Sequence, residues 1–190
     1  MIVIPKPSSE ELSMLNFIFE NDHVRDACRI FKKMIKTKED ENLSLLDLGC
    51  RDDKLASFFI NLNYDWYGLD AEPKSQKVIK GSMEDIPFGS EMFHAIFCCH
   101  SLEHSKNIFQ ALLEMKRVLR LNGVIFIATP YPNEYQMFYC DKTHILVPTQ
   151  EQMKRLLQLI GVEVVHCEYY NVEGQNVDLA SLITIGRVIN

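Results

Sequence analysis

The stretch "LLDLGCRDDKLASFF", residues 45–59, constrains the fold more than any other part of this chain. A Leu/Asp/Leu strand runs into a turn at Gly49 and then into a helix. That unit cradles a phosphate or a cofactor in doubly wound α/β proteins. Its turn normally holds several glycines, because only a residue without Cβ lets the backbone approach a ligand closely and take φ > 0. Here Gly49 is followed by Cys50, Arg51, Asp52 and Asp53, so the question is what this turn holds.

From residue 43 onward, short apolar runs alternate with helical patterns, as parallel strands covered on both faces do. The runs predict strands over 43–48, 64–69, 77–80, 93–99 and 123–129. A helix is expected over 107–121, with Ile108, Leu112, Met115 and Leu119 as its apolar stripe and Asn122-Gly123 as its stop. Another begins at Thr149, boxed by Gln152, and ends at Gly161. Strands over 162–169 and 182–189 flank the polar loop "NVEGQNVDLA" and make a hairpin expected to close the sheet edge. Before residue 40, Ser8 and Glu11 fit a capping box for a helix to about Glu20. In the next helix Val24, Cys28, Phe31 and Ile35 share one face, and Arg25, Arg29, Lys32, Lys33 and Lys36 form a solvated basic face on the other. Residues 1–40 are thus expected to be an N-terminal helical cap on a Rossmann-like domain spanning 41–190.

The 190 residues suffice for one continuous core. A formal charge of −6 argues against nucleic acid as a partner. Cys28, Cys50, Cys98, Cys99, Cys140 and Cys167 lack the spacing of a disulfide framework and read as reduced thiols of a cytoplasmic protein. The start "MIVIPKPSSEEL" has no basic region before its four apolar residues, so it reads as neither a signal peptide nor a membrane span.

Chemistry concentrates downstream of the turn. Asp70 ends "YDWYGLD", 21 residues beyond Gly49, the spacing at which a doubly wound fold offers a carboxylate to the two hydroxyls of a ribose. Then follow "GSMEDIPF", "FHAIFCCHSLEH" and "LRLNG". No metal is assigned: Cys98 and Cys99 are adjacent in a strand and point to opposite faces, so a zinc set with His100 and His104 would need a bulge. The absence of GxGxxG weighs against a nicotinamide-linked oxidoreductase.

In this order the segments resemble the class I S-adenosylmethionine (SAM) dependent methyltransferases, in particular the small-molecule group that includes the quinone-biosynthesis methyltransferases. Their usual text is close to "LDLGCGTG", an acidic end to the second strand, "GDAEDLPF", "FD" opening the fourth strand with "LEH" after it, and "LKPGG". The resemblance runs from about Leu43 to Val165 and implies a doubly wound α/β fold, a seven-stranded, mostly parallel sheet whose last strand is antiparallel. It also implies SAM as cofactor and a small-molecule acceptor. Carried over, Asp47 and Gly49 border the methionine part of SAM with Cys50 and Arg51 beside them. Asp70 accepts from the ribose hydroxyls next to Ala71, Ser82 and Met83 line the adenine, and Cys99 or His100 faces the ligand from the other side. Arg51 and Asp53 stand in place of the second and third glycines, Ser82 in place of an Asp, and His94 in place of the fourth strand's Asp. Two readings of Arg51 follow. Its guanidinium pairs with the methionyl carboxylate of SAM, or it fills the space SAM needs, held there by Asp52, Asp53 or Asp70. Methyl transfer needs alignment more than a general base, and where a base helps, His100, His144 and His104 are the candidates. The aromatic stretch 130–140 is a candidate acceptor lining. The runner-up is a catalytically silent binding or regulatory subunit, with a protein partner or a second copy of the chain.

Overall fold

Eight strands form a single sheet in the computed structural model, which describes residues 2–4, 22–35, 43–133, 141–172 and 180–189. They are β1 (Ile2–Ile4), β2 (Leu43–Leu48), β3 (Tyr64–Asp70), β4 (Val78–Lys80), β5 (Phe93–Cys99), β6 (Leu119–Pro130), β7 (Val162–Val172) and β8 (Ser181–Val188). Their order is β1-β7-β8-β6-β5-β2-β3-β4. β8 runs antiparallel to β6 and β7, and the other pairings are parallel. The expected seven-stranded sheet with an antiparallel last strand is present, and β1 extends it by pairing Ile2 with Tyr170 and Ile4 with Val172. The β7–β8 hairpin therefore lies one strand in from the edge. Three residues are too few to show an alternation, which is why "MIVI" carries no strand signal in the sequence.

The described helices are α1 (Asp22–Met34), α2 (Ala56–Ile60), α3 (Ile108–Val118) and α4 (Gln150–Leu159), with a 3-10 turn at Leu102–His104. They cover both faces. Leu45, Phe97 and Phe126 pack with Phe31 of α1 and Phe59 of α2, while Leu46, Cys98 and Ile127 pack with Leu112 of α3 and Leu157 of α4. Successive strand residues point to opposite faces, and here both faces are core, which produces near-continuous apolar runs. Phe31 meets Phe59, Phe97 and Phe126 edge-on at 5.5, 5.5 and 5.4 Å between ring centroids.

The capping box of α4 is made by Thr149 and Gln152, each side chain accepting from the other's backbone N–H, at 2.8 and 3.3 Å. Helix α3 begins where expected, Asn107 accepting from the N–H of Gln110 at 3.1 Å, but ends at Val118 rather than 121. Leu119 already pairs with Phe93, and the Arg117 and Val118 carbonyls accept from the N–H groups of Glu91 and Met92. The "LNG" stop becomes a bulge inside β6, with Asn122 at φ 65°. The Ser8–Glu11 capping box, the helix expected to Glu20, residues 134–140 of the aromatic stretch and residues 173–179 of the polar loop lie outside the described residues.

The chain builds β2, β3 and β4 outward, then returns to place β5 on the other flank of β2. This reversal leaves a crevice beyond the carboxyl ends of β2 and β5, the place where open α/β sheets bind ligands. Among the described residues no helix is long and apolar enough to cross a membrane.

Candidate cofactor site

Three adjoining strand ends supply the site. Beyond β2, Gly49 sits at φ 77°, and a Cβ there would clash with Oγ and Cβ of Ser101. Ser101 Oγ lies 3.1 Å from both the Gly49 and the Cys99 carbonyl oxygens, tying the turn to the end of β5. The Gly49 N–H donates to Leu69 O at 2.7 Å and fixes the turn against β3.

Arg51 is in the left-handed region too, at φ 60°. A glycine would adopt this conformation freely, whereas a residue with a Cβ pays roughly 1–2 kcal/mol. Hydrogen bonds on both sides hold it there: the Arg51 N–H donates to Asp70 Oδ2 at 2.9 Å, and its carbonyl accepts from Lys74 N–H at 2.7 Å. Asp70 Oδ1 accepts from the N–H of Glu72 at 2.8 Å. Asp53 pairs with Lys77 at 3.0 Å, which holds its carboxyl below the usual range, and Asp52 faces Lys54 at 3.8 Å. Asp52 and Asp53 thus face lysines rather than the Arg51 guanidinium, and the Arg51 side chain is exposed.

Asp47 lies beneath the turn, buried, with Oδ2 accepting from Trp66 Nε1 at 3.1 Å. Burial, reinforced by Asp52 and Asp70, pushes its carboxyl up to about 7 against the opposing Trp66 hydrogen bond. The Trp66 ring packs where a Gly68 Cβ would stand, 2.6 Å from the nearest ring atom and 2.9 Å from Cys50 Sγ.

On the far side of Asp70, Ala71 is exposed, and Gly81 N–H donates to Asp70 O at 3.0 Å, bringing the segment after β4 alongside. Ser82 donates to Glu84, whose other oxygen accepts from Ser105 Oγ at 2.7 Å and Lys106 N–H at 2.9 Å. Met83 is half-buried against the α3 core. His94 lies at the opposite, amino end of β5, its Nδ1 3.1 Å from the Ser44 N–H, and is no part of this crevice.

At the end of β5, Cys98 faces the α3 core and Cys99 the α1 core. His100 follows at φ 48°, with Nε2 3.1 Å from Ser181 Oγ and its ring 5.1 Å from that of His23. Burial and the neighbouring His23, His144 and His104 push its imidazole down to about 3. Beside it is a residue the sequence reading passes over as part of a helix start. Glu103 is fully buried, and neither carboxylate oxygen has a hydrogen-bond partner among the described residues. Its Oε1 lies 3.7 Å from His100 Nδ1 and 3.9 Å from His144 Nε2. The Glu103 carbonyl accepts from the N–H groups of Ile145, at 2.8 Å, and Leu146, at 3.3 Å, which brings His144 to it from far downstream in the chain. The only sequence signal is an acid in "SLEH" directly after an apolar strand.

These positions can be set against known proteins. Residues 46–127 match the family described as the methyltransferase domain. No curated protein matches the chain. Among solved structures, a chain of the complex containing the Haloferax volcanii Trm112 methyltransferase activator is similar, with a TM-score of 0.73, 12% identity, and 96% of this chain and 95% of that one covered. A SAM-dependent methyltransferase from Archaeoglobus fulgidus gives 0.71 and 16%, over 95% and 100% of the two chains. The Burkholderia thailandensis 1,6-didemethyltoxoflavin-N1-methyltransferase, solved with bound 1,6-didemethyltoxoflavin and S-adenosylhomocysteine, gives 0.70 and 14%, over 100% and 94%. Identities this low establish the fold, and the fold does not by itself assign a reaction. The chain has the class I methyltransferase fold, and its strand-turn-helix unit through β6 matches the methyltransferase-domain family.

Proposed function

We propose that this protein is a SAM-dependent methyltransferase acting on a small-molecule acceptor. The observation that carries this reading is the position of Asp70. Its carboxylate ends β3 beside the switch-point crevice, and each oxygen accepts one backbone N–H, which leaves further lone pairs for the two hydroxyls of a ribose. SAM would supply an electrophilic methyl on a sulfonium. The residues of this chain bind and orient it: Gly49, Cys50 and Arg51 border the methionine part above Asp47, with the exposed Arg51 guanidinium available to a carboxylate. Ala71, Ser82 and Met83 border the adenine, and Cys99 and His100 close the opposite side. For an acceptor that must lose a proton, His100, which directly follows β5, is the candidate base.

A second reading, a cofactor-free subunit that works through a protein partner, draws on Arg51 and Asp53 standing where the resembled family has glycine. It also draws on the likeness to a chain solved together with the Trm112 activator. Isothermal titration with SAM and S-adenosylhomocysteine separates the two. Saturable micromolar binding that falls at least tenfold in Asp70→Ala supports the methyltransferase. A folded protein that binds neither ligand at millimolar concentration overturns it in favour of the subunit.

A further inference from the structure

We propose that Glu103, His104 and His144 form a mononuclear site for a divalent transition metal of the zinc class. Their ligand atoms all lie within 4.8 Å of one another. Glu103 Oε1 and His144 Nε2, 3.9 Å apart, stand close to the separation of about 3.4 Å expected for two ligands of a tetrahedral ion with bonds of about 2.1 Å. One carboxylate and two imidazoles suit zinc or its first-row neighbours better than calcium or magnesium, which prefer oxygen.

Two further observations point to a cation. Glu103 is fully buried with both oxygens lacking a hydrogen-bond partner among the described residues, and a bound cation is the partner such a carboxylate needs. His104 also has its tautomer set from behind. Thr143 Oγ1 donates to Asp141 Oδ1 at 2.7 Å, so its one hydrogen is committed and its oxygen accepts from His104 Nδ1 at 2.8 Å. That places the proton on Nδ1 and leaves the Nε2 lone pair for a metal, the carboxylate-backed arrangement that orients metal-ligating histidines. Asp141 Oδ1 also accepts from Thr143 N–H at 2.8 Å, which stiffens the relay. Three protein ligands leave such an ion an open position for water or an acceptor oxygen, beside His100 at the end of β5.

The test is titration of chelator-stripped full-length protein with Co(II), followed by its visible d–d absorption, with Zn(II) as competitor. SAM titration on the same samples reads the cofactor site separately, so a failure of either reading is told apart from a failure of the other. One equivalent of Co(II) should bind and be displaced by Zn(II). His104→Ala and His144→Ala should each weaken binding by about 100-fold or more, and Thr143→Val, which leaves all three ligands in place, by about 10- to 100-fold. Circular dichroism confirms folding, and should an alanine variant unfold, His144→Gln and Thr143→Val carry the comparison. Absence of saturable Co(II) binding, or affinity unchanged in the substituted proteins, overturns the site.

Discussion

The backbone N–H of Arg51 donates to Oδ2 of Asp70 at 2.9 Å, so the carboxylate proposed to meet the ribose also holds the turn proposed to meet the methionine. Position 51 therefore has two separable properties, a left-handed backbone and an exposed cationic side chain. Arg51→Gly relieves roughly 1–2 kcal/mol of backbone strain and costs roughly 0.5–1 kcal/mol in chain entropy. It should raise the melting temperature by about 1–4 °C. Arg51→Ala keeps the strain and should not. Both variants should bind SAM more weakly, because the partner for its carboxylate is gone. Calorimetry beside thermal melts checks this, and tighter binding by Arg51→Gly would show that the side chain blocks the site instead.

Gly49 offers no such latitude. Its φ of 77° penalises any side chain, and the Cβ of an alanine would clash with the Ser101 side chain. Gly49→Ala should destabilise the protein by about 3 kcal/mol from strain and overpacking together. Combining it with Ser101→Gly removes the overlap and keeps the strain. A double-mutant cycle in urea should give a favourable coupling of about 1–2 kcal/mol. Zero coupling would mean that backbone conformation alone makes this glycine necessary.

Much of this arrangement is legible in the sequence, because the signals are local. Asp47, Gly49 and Asp70 announce themselves through a strand end, a turn and a fixed spacing, and Thr149 with Gln152 announces a helix start. What escapes is set by contacts distant in the chain. Helix α3 loses its last turn because Phe93 claims Leu119 for the sheet. Arg51 takes a glycine conformation because Asp70 and Lys74 hold its peptide groups. Glu103 carries no more signal than a helix start, and the N–H groups of Ile145 and Leu146 that reach its carbonyl come from far along the chain. None of those partners lies within a window that periodicity can inspect.

Helix α1 reads in sequence as part of a cap, yet Phe31 is fully buried among Phe59, Phe97 and Phe126. Phe31→Ala should cost about 3–5 kcal/mol in denaturant unfolding, with a single transition. A loss below about 1 kcal/mol would assign α1 to a peripheral layer that the rest of the fold does not need.

Asp47 gives the protein a pH-dependent stability that can be worked out in sign. Burial raises its folded-state pKa from 3.8 to about 7, with Asp52 and Asp70 adding to the rise and Trp66 opposing it. A carboxyl raised in the folded state favours folding while it is protonated. Its contribution is complete below the unfolded value near 4 and is lost as pH rises through 7. A shift of this size corresponds to a change on the order of 4 kcal/mol between pH 4 and pH 8. Asp47→Asn keeps an oxygen to accept from Trp66 Nε1 but cannot ionise. Against the wild type in urea unfolding, it should be closest in stability at pH 5 and more stable at pH 8. Equal pH slopes for the two proteins would show that Asp47 stays ionised in the fold, stabilised by the turn above it rather than penalised by burial.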